Sequence, residues 1–348
     1  MTKTAVVLFN LGGPDRPESV QPFLFNLFND PAIIGAPGPI RWALAKLISS
    51  RRARVAREIY EHLGGSSPLL ANTEAQAAAL QAALADLGDV RVFIAMRYWH
   101  PLTEEAVAKV ADFGPDRVVL LPLYPQYSTT TSGSSLDAWH NAAEAARLTA
   151  PSVALCCYPR EAGFVSAIAG KVHAALDQAR AHGTPRLLFS AHGLPKKIVE
   201  RGDPYQWQVE ASAEAVVEAL GLADLDWGLC YQSRVGPLEW IGPATEDEIA
   251  RAGRDKVPIV LLPIAFVSEH SETLVELDIE YRKLAEESGV PAYIRAPTVG
   301  TAEAFVAGLA ELVRRALTER RILCSEQGGR ICPARWSGCP QAADSNGA

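Results

Sequence analysis

One stretch of the sequence, Phe266–Tyr281 (FVSEHSETLVELDIEY), carries a histidine and five carboxylates within sixteen residues. In a helix, Glu272, Glu276 and Glu280 would share one face, because residues four apart lie above one another. Like charges at this spacing repel by roughly 0.2–0.5 kcal/mol per pair. The pattern therefore leaves two interpretations open. One is a solvated helix face, and the other is a carboxylate track that passes cations or protons toward His270.

A second histidine, His192, follows the apolar run LLFSA and precedes the small and rigid residues at 193–195. The titration range of an imidazole suits a general base, and the alternative is a structural histidine in a loop. His270 and Glu272 open the acid-rich segment, where Ser268 is a predicted N-cap. These two histidines are the candidates for acid–base work.

Two further polar clusters follow predicted strands. Arg97 and Tyr98 come directly after the strand predicted at 90–96 and suit a flat aromatic acid, by carboxylate pairing and stacking. A packed corner would also use them. The turn YPQYSTTTSGSS (124–135), which includes Thr130, is of the kind that binds anions or lines pockets, although such turns also cap helices.

The six cysteines suggest metal ligation or redox chemistry rather than disulfides, provided that the protein is cytosolic. Cys324, Cys332 and Cys339 have the spacing C-x7-C-x6-C, which is not that of a zinc finger. Three cysteines leave a four-thiolate site one ligand short, so the spacing leaves both a metal site and free thiols open. The candidates for a fourth ligand are Cys156, Cys157 and Cys230.

Length and composition limit the classes of protein. The chain has 348 residues, of which 48% are hydrophobic and 21% charged, as in a globular protein of two domains. A net charge of −7 argues against general nucleic-acid binding. No apolar run reaches the roughly 18 residues that a spanning helix needs. The N-terminus is too short and too strand-like for a signal peptide, so we expect a cytoplasmic protein.

Short apolar runs alternate with longer helical patterns along the chain. The predicted strands are 4–10, 90–96, 117–124, 152–158, 185–191, 225–231, 257–266 and 290–296. The predicted helices are 74–87, 102–113, 135–149, 164–182, 205–220, 245–253, 271–288 and 301–321. This alternation predicts an α/β fold with doubly wound parallel sheets. Ligands bind such sheets beyond the carboxyl ends of the strands, where the polar residues described above lie.

A repeated pattern predicts two similar domains, because VVLFNLGGP near the start is echoed by LLFSAHGLP in the second half. We expect an N-terminal α/β domain at 1–150, a C-terminal α/β domain at 151–310 and a cysteine-bearing extension at 311–348. The segment 22–52 interrupts the alternation and ends in Arg51 and Arg52. Its composition predicts either a helical hairpin packed on the first domain or an apolar lip for a hydrophobic ligand or a membrane surface.

The long motifs of the chain resemble those of ferrochelatases, in the same order and over nearly the whole sequence. They are FNLGGP, RYWHPLTEEA, YPQYS…GSSL, LFSAHGLP…RGDPY, VGPLEWIGP and PIAFVSEHSETLVELDIEY. This resemblance implies the insertion of Fe²⁺ into protoporphyrin IX at the end of haem synthesis. It also implies two Rossmann-like domains with a porphyrin cleft between them.

The resemblance assigns roles to individual residues. His192, His270 and Glu272 correspond to catalytic residues, and the helix predicted at 271–288 is expected to be distorted toward π geometry. The metal-handling residues are His192, Glu272, Glu276 and Glu280. The substrate-binding residues are Leu11, Arg51, Arg52, Tyr60, Ser67, Arg97, Tyr98, Thr130, Trp240 and Phe266.

Many ferrochelatases carry a [2Fe–2S] cluster, and the resemblance extends this expectation to the present chain. The pattern departs from the animal enzymes, since Thr129 stands where they place an internal ligand, and the C-terminal spacing also differs. The predicted ligands are Cys157, Cys324, Cys332 and Cys339. Cys156 and Cys230 are the alternatives for the internal position.

Other functions compete with this prediction. A dinuclear metal hydrolase would use the same histidines and glutamates as fixed ligands, and a tetrapyrrole or metal carrier would bind without turnover. An iron–sulfur electron carrier would explain the cysteines but not the two histidine motifs. Among porphyrins, the apolar lip favours protoporphyrin over the more charged coproporphyrin. Peripheral contact of 22–52 with the inner face of the membrane, and a homodimer, remain open.

Overall fold

A computed structural model of the chain describes residues 2–234 and 236–342. The chain forms two compact units, Met1–Cys157 with Leu309–Arg330, and Tyr158–Gly308 with Ile331–Ala348. Each unit contains one sheet in which every strand pairing is parallel. The predicted α/β class with parallel sheets is therefore confirmed. Residues 311–348, expected to form one extension, contribute to both units.

The sheet of the first unit has the order β2-β1-β3-β4-β9. Its strands are β1 (Lys3–Asn10), β2 (Asp89–Met96), β3 (Arg117–Pro122), β4 (Ser152–Leu155) and β9 (Leu323–Cys324). Its helices are α1 (Val20–Phe28), α2 (Gly38–Glu61), α3 (Leu69–Ala83), α4 (Thr103–Phe113) and α5 (Ser134–Ala145). β1 is buried from Thr4 to Asn10, which explains its unbroken apolar run.

The sheet of the second unit has the order β6-β5-β7-β8. Its strands are β5 (Arg186–His192), β6 (Trp227–Gln232), β7 (Ile259–Pro263) and β8 (Tyr293–Arg295). Its helices are α6 (Ala162–Ala179), α7 (Lys196–Glu200), α8 (Tyr205–Leu220), α9 (Thr245–Asp255) and α10 (Tyr281–Glu287). The last helix, α11 (Glu303–Thr318), begins in this unit and ends in the first.

Each unit has its own apolar core against its sheet. In the first unit the rings of Phe9 and Trp139 meet edge to face, with centroids 6.0 Å apart. In the second unit Leu188 and Leu261 pack with Ile249. Both cores hold the middle strands rigidly, so the residues at the strand ends have fixed positions.

Two helical predictions need correction. The single helix predicted at 271–288 is divided into a π-helical segment, Glu272–Glu280, and the short α10. The distortion toward π geometry that the resemblance implied is therefore confirmed. The helix predicted at 74–87 begins earlier, at Leu69, directly after Pro68, where a proline commonly precedes the first helical turns. The two-residue strand β9 was not predicted, because two residues carry no detectable period.

The segment 22–52 comprises most of α1, the connection at 29–37 and the first part of α2, as the helical-hairpin interpretation predicts. Helix α2 nevertheless exposes large apolar side chains, with Ile40 55%, Trp42 50% and Val55 51% accessible. Among the described residues, no helix combines the length and apolar character that crossing a membrane requires.

Candidate active site

The candidate site of the second unit lies at the carboxyl edge of its sheet. Strand β5 ends at His192, and the register places His192 beside Gln232, the last residue of β6. Strand β7 ends at Pro263 and leads into the acid-rich segment. Because parallel strands end at a common edge, three separated parts of the sequence meet there.

His192 and Glu272 form the centre of this site. The Nδ1 atom of His192 lies 3.0 Å from Oε2 of Glu272, and Nε2 of His270 lies 3.9 Å from the same oxygen. The hydroxyl of Tyr205 donates to the carbonyl oxygen of His192 at 3.1 Å. The structure thus brings together the three residues that the sequence predicts to be catalytic.

The imidazole of His270 is oriented by its surroundings. Its Nδ1 atom lies 3.1 Å from the carbonyl oxygen of Ser268 and must donate to it, since a carbonyl only accepts. This leaves Nε2 as the atom turned toward Glu272. The ring of Phe266 packs against the imidazole with centroids 4.5 Å apart, so Phe266 forms an apolar wall beside the site.

His192 and Glu272 each stabilise the charged form of the other. Burial lowers the pKa of His192, but the Glu272 carboxylate, and then Glu276, offset this and leave the pKa above its ordinary value. Burial opposes ionisation of Glu272, yet the neighbouring His192 and His270 hold the pKa of that carboxyl well below its usual range. The His192 side chain keeps 39% of its surface exposed, so water partly screens the attraction.

Glu276 is held by a set of donors from β6 and the residue after it. The backbone N–H and the hydroxyl of Ser233 donate to its carboxylate at 2.8 and 2.6 Å, and Gln232 Nε2 donates at 3.1 Å. Burial first, and then the charge of Glu272, raise the pKa of Glu276. The two carboxyl groups therefore differ, since the pKa of Glu272 is lowered and that of Glu276 is raised.

The contacts of Glu276 lead to Tyr281 and Glu246, and not to Glu280 as the predicted carboxylate track would require. The hydroxyl of Tyr281 lies 3.2 Å from Glu276 Oε1 and 3.1 Å from Glu246 Oε1. Glu280, by contrast, is exposed. The structure therefore places Glu272 and Glu276 together and leaves Glu280 at the surface of this unit.

Trp240 lies close to the catalytic strand end. It forms an isolated bridge with Pro195, and a Cβ atom at Gly193 would come within 3.2 Å of its ring and 3.0 Å of the carbonyl oxygen of Gln232. A side chain at position 193 would therefore crowd Trp240 and the turn that follows His192.

In the first unit, Arg97 is paired within the protein. Its Nη2 atom lies 2.9 Å from Asp30 Oδ2, and its Nε donates to Ser134 Oγ at 2.7 Å. The hydroxyl of Tyr98 donates to the same Asp30 oxygen at 2.7 Å, and Tyr98 is only 1% exposed. Burial first, and then Asp30, raise the pKa of Tyr98. The half-buried Arg97 and the buried Tyr98 therefore form a packed polar corner, while their role in binding an aromatic acid stays a prediction.

The other predicted binding residues of this unit occupy different environments. Ser67 packs against the turn after β1, where a Cβ atom at Gly13 would collide with its side chain. Leu11 is half-buried, while Tyr60 and Thr130 are buried. Arg51 and Arg52 are exposed on α2.

Comparison with known proteins decides the family. The family model "Ferrochelatase" matches residues 3–317. A curated protein named ferrochelatase from Hyphomonas neptunium is 55% identical over 98% of this chain and 95% of its own length. One from Caulobacter vibrioides is 54% identical over 97% of both chains. This chain belongs to the ferrochelatase family.

The fold of this ferrochelatase-family chain also resembles a solved structure described as SirB from Bacillus subtilis with Fe³⁺. The TM-score is 0.54 at 11% identity, over 91% of this chain and 96% of that one. At this identity the similarity concerns the fold alone.

The thiols predicted to hold a cluster in this ferrochelatase-family chain are all buried. Cys157 and Cys324 belong to the first unit, and Cys332 and Cys339 to the second. In the first unit, Cys156 Sγ lies 3.4 Å from Cys157 Sγ, and the N–H of Cys156 donates to the Cys324 carbonyl at 2.8 Å.

A [2Fe–2S] cluster needs deprotonated thiols in one group. Burial first, and then Cys156, raise the pKa of Cys324 to about 12. Across residues 2–234 and 236–342, no group of three or more His, Cys, Asp or Glu side chains is arranged to hold a metal ion. The described geometry thus does not fit the cluster that the resemblance implies.

Several residues of the site were not predicted. Ser233 and Tyr281 fix Glu276, and Asp30 and Ser134 fix Arg97. Tyr281 ends the acid-rich stretch and follows Glu276 by five residues, which is the spacing of a π-helix. That spacing was the one feature of the sequence that could have indicated the contact between Tyr281 and Glu276. The partners of Arg97 come from distant parts of the chain and have no such feature.

Proposed function

We propose that this chain catalyses the insertion of Fe²⁺ into protoporphyrin IX, forming protohaem and releasing two protons. The observation that carries this proposal is the pair of His192 and Glu272 at 3.0 Å, with His270 beside it. Membership of the ferrochelatase family and the long motifs around these residues support it.

The pair is suited to remove the pyrrole protons. Two N–H bonds of the porphyrin must break as Fe²⁺ becomes bound to the four pyrrole nitrogens, so a base must take up two protons at the macrocycle. The His192 imidazole accepts such a proton, and Glu272, held as a carboxylate, stabilises the imidazolium that results. Glu276, whose pKa is raised, can then take up a proton and pass it on.

The same donors suit the metal substrate. Imidazole nitrogen and carboxylate oxygen both bind Fe²⁺, and His192, Glu272 and Glu276 offer them within one unit. We propose that Fe²⁺ approaches along these acids, with Glu280 as the exposed outer residue. The hydrated Fe²⁺ ion must lose its bound water molecules before insertion. A row of carboxylates supplies oxygen ligands that can replace these water molecules one at a time.

The flat macrocycle needs apolar walls and a partner for its propionates. We propose Phe266, Trp240 and Leu11 as wall residues. Arg97 is already paired with Asp30, so we assign the propionates to the exposed Arg51 and Arg52. A bidentate guanidinium–carboxylate contact would fix the porphyrin in the plane that the reaction requires.

An anaerobic assay with Fe²⁺ and protoporphyrin IX tests the function. Wild-type protein should form protohaem over many turnovers, and His192→Ala should form none while still binding porphyrin, measured by fluorescence quenching. Turnover retained by His192→Ala would remove the proposed role of this histidine. Absence of turnover in the wild type would refute the function.

The same assay separates the competing functions. A tetrapyrrole or metal carrier would bind both substrates and give at most one equivalent of product. A dinuclear hydrolase would hold resident metal at near-stoichiometric amounts before substrate is added. Replacing protoporphyrin by coproporphyrin in parallel reactions tests the porphyrin preference, which we expect to be for protoporphyrin.

We retain the [2Fe–2S] cluster only as a proposal that rests on the family resemblance and on the six buried thiols. No step of the reaction is assigned to it. Anaerobically purified protein should contain two iron and two acid-labile sulfide atoms per chain, as the cluster's formula requires. Protein without iron and sulfide would refute the cluster and leave the insertion activity unaffected.

A cytoplasmic location with peripheral membrane contact is a further proposal. Helix α2 presents exposed Ile40, Trp42 and Leu47 together with Arg51 and Arg52, a combination suited to an anionic lipid surface. Flotation with vesicles of anionic and of neutral lipid tests the contact, which should require the anionic lipid. Sedimentation of the same protein would establish whether it forms the homodimer that we also propose.

A further inference from the structure

Arg295, the last residue of β8, holds two carboxylates of the acid-rich segment at once. Its Nη1 atom donates to Glu269 at 2.7 Å, while Nε and Nη2 donate to the two oxygens of Asp278 at 2.8 and 2.6 Å. The side chain is only 9% exposed. Three charge-assisted hydrogen bonds in a planar, bidentate arrangement fix the guanidinium firmly.

The two partners of Arg295 bracket the catalytic part of the segment. Glu269 directly precedes His270, and Asp278 follows Glu276 by two residues. The same oxygen of Glu269 also accepts from the backbone N–H of Thr298 at 2.9 Å. The guanidinium therefore holds both ends of the stretch that contains the proposed base partner and proton acceptor.

Arg295 also links the acid-rich segment to the sheet, because it belongs to a strand of that sheet. Arg295 pairs in register with Leu261 of β7, the strand that leads into the segment. Tyr293, two residues earlier on β8, donates its hydroxyl to the carbonyl oxygen of Leu277 at 2.8 Å. Strand β8 thus contacts the segment through two side chains, one bound to carboxylates of the segment and one to a backbone carbonyl.

The π-helical segment needs stabilising contacts from outside for a physical reason. A π-helix is rare and normally occupies a single turn, because its hydrogen-bond geometry is less favourable than that of an α-helix. Here it runs over nine residues, Glu272–Glu280. External contacts must offset that cost, and the bidentate pair with Asp278 lies within the segment.

A matched control lies on the same sheet. Arg186, the first residue of β5, is 10% exposed and also binds two carboxylates, Asp226 at 2.8 Å and Asp255 at 2.9 Å. It is at the opposite end of the strand from His192. The two arginines are alike in burial and in charge, but only Arg295 contacts the acid-rich segment.

We propose that Arg295 is a positioning residue for metal insertion, which through Glu269 holds the approach to His270 and through Asp278 holds the segment Glu272–Glu280 in the π-helical form that pairs Glu272 with His192. This inference rests on the proposed function. It predicts that loss of the guanidinium disturbs the reaction without touching either substrate.

The experiment compares Arg295→Gln with Arg186→Gln in the full-length chain. Both changes should lower Tm, since each leaves two acids without their partner. Arg295→Gln should in addition lower kcat by about tenfold to a hundredfold, the effect expected from misplaced catalytic groups. The Kd for protoporphyrin should stay unchanged, and Arg186→Gln should keep the wild-type kcat.

Two milder variants keep the test decisive if Arg295→Gln does not fold. Arg295→Lys keeps the charge but not the bidentate geometry, so it should recover Tm and leave kcat low. Asp278→Asn removes one arm and should lower kcat, whereas Asp255→Asn beside Arg186 should not. Equal kcat for the Arg295 and Arg186 variants, or full activity of Arg295→Lys and Asp278→Asn, would overturn the inference. An inactive wild type would instead refute the proposed function.

Discussion

Two turns of the molecule share a backbone design and differ in chemistry. In the first unit β3 ends in Leu120–Leu121–Pro122 and leads to a π-helical segment at Thr129–Gly133. In the second unit β7 ends in Leu261–Leu262–Pro263 and leads to the longer segment Glu272–Glu280. The first segment contains only Thr, Ser and Gly, whereas the second carries four acids.

The difference shows how one fold provides two kinds of surface. The hydroxyl-rich turn is closed on itself, with Ser128 Oγ accepting from the N–H of Thr130 at 3.1 Å. The acidic turn is held from outside, by Ser233 at Glu276 and by Arg295 at Asp278. Neutral hydroxyls need no external charge, while clustered carboxylates must be held against their mutual repulsion. We infer that the acidic turn does the chemistry and that the neutral turn is structural or binds substrate.

The strongest test of this comparison replaces matched residues. Thr131 follows Pro122 by nine residues, as Glu272 follows Pro263. Glu272→Gln should reduce kcat by about 10²–10⁴-fold, the usual contribution of a positioned acid–base group, without changing porphyrin affinity. Thr131→Val should leave kcat unchanged and not destabilise the protein. Its buried hydroxyl has no hydrogen-bond partner among the described residues.

Steady-state kinetics and fluorescence binding measure both effects. A large loss of kcat in Thr131→Val would show that the neutral turn also takes part in the reaction, and the contrast between the two turns would fail.

The pH dependence of the reaction gives a second test. The neutral imidazole of His192 is the form that accepts a proton, so its pKa should set the acid limb of kcat/KM. Glu272 raises that pKa, and Glu272→Gln should therefore move the acid limb to lower pH. Rates measured from about pH 5 to about pH 8, the range in which imidazole titrates, check the direction of the shift. A shift to higher pH would contradict the assignment of His192 as the base.

The sequence could predict most of the fold and the centre of the site, for a physical reason. Buried parallel strands leave long apolar runs, and the residues after them lie at one edge of the sheet. His192, His270 and Glu272 are therefore visible from their positions. The residues that fix them are not, because Arg295 and Ser233 act through contacts between distant segments that have no local pattern.

Arg97 is a second example of a contact between distant segments that the sequence does not reveal. Its place after β2 suggested a ligand for an aromatic acid, but Asp30, 67 residues earlier, takes up its charge. Nothing near Asp30 in the sequence indicates this pairing. Residue type and strand position predict where chemistry can occur, and only the packing decides whether a charge is available for it.

The smallest expected effects distinguish the two outer acids of the segment. Glu276 accepts three hydrogen bonds from Ser233 and Gln232 and lies 3.2 Å from the Tyr281 hydroxyl, whereas Glu280 is exposed. Glu276→Gln should lower kcat by about tenfold or less, at the low end of acid–base contributions, since the amide still accepts some of these bonds but cannot take up a proton. Glu280→Gln should leave kcat unchanged and raise only the KM for Fe²⁺, because an exposed carboxylate can attract the cation but is screened by water. Initial rates at varied Fe²⁺ concentration separate the two. A larger fall of kcat in Glu280→Gln than in Glu276→Gln would show that the reactive part of the segment extends to its exposed end, and that the contacts of Glu276 with Ser233 and Tyr281 do not mark its limit.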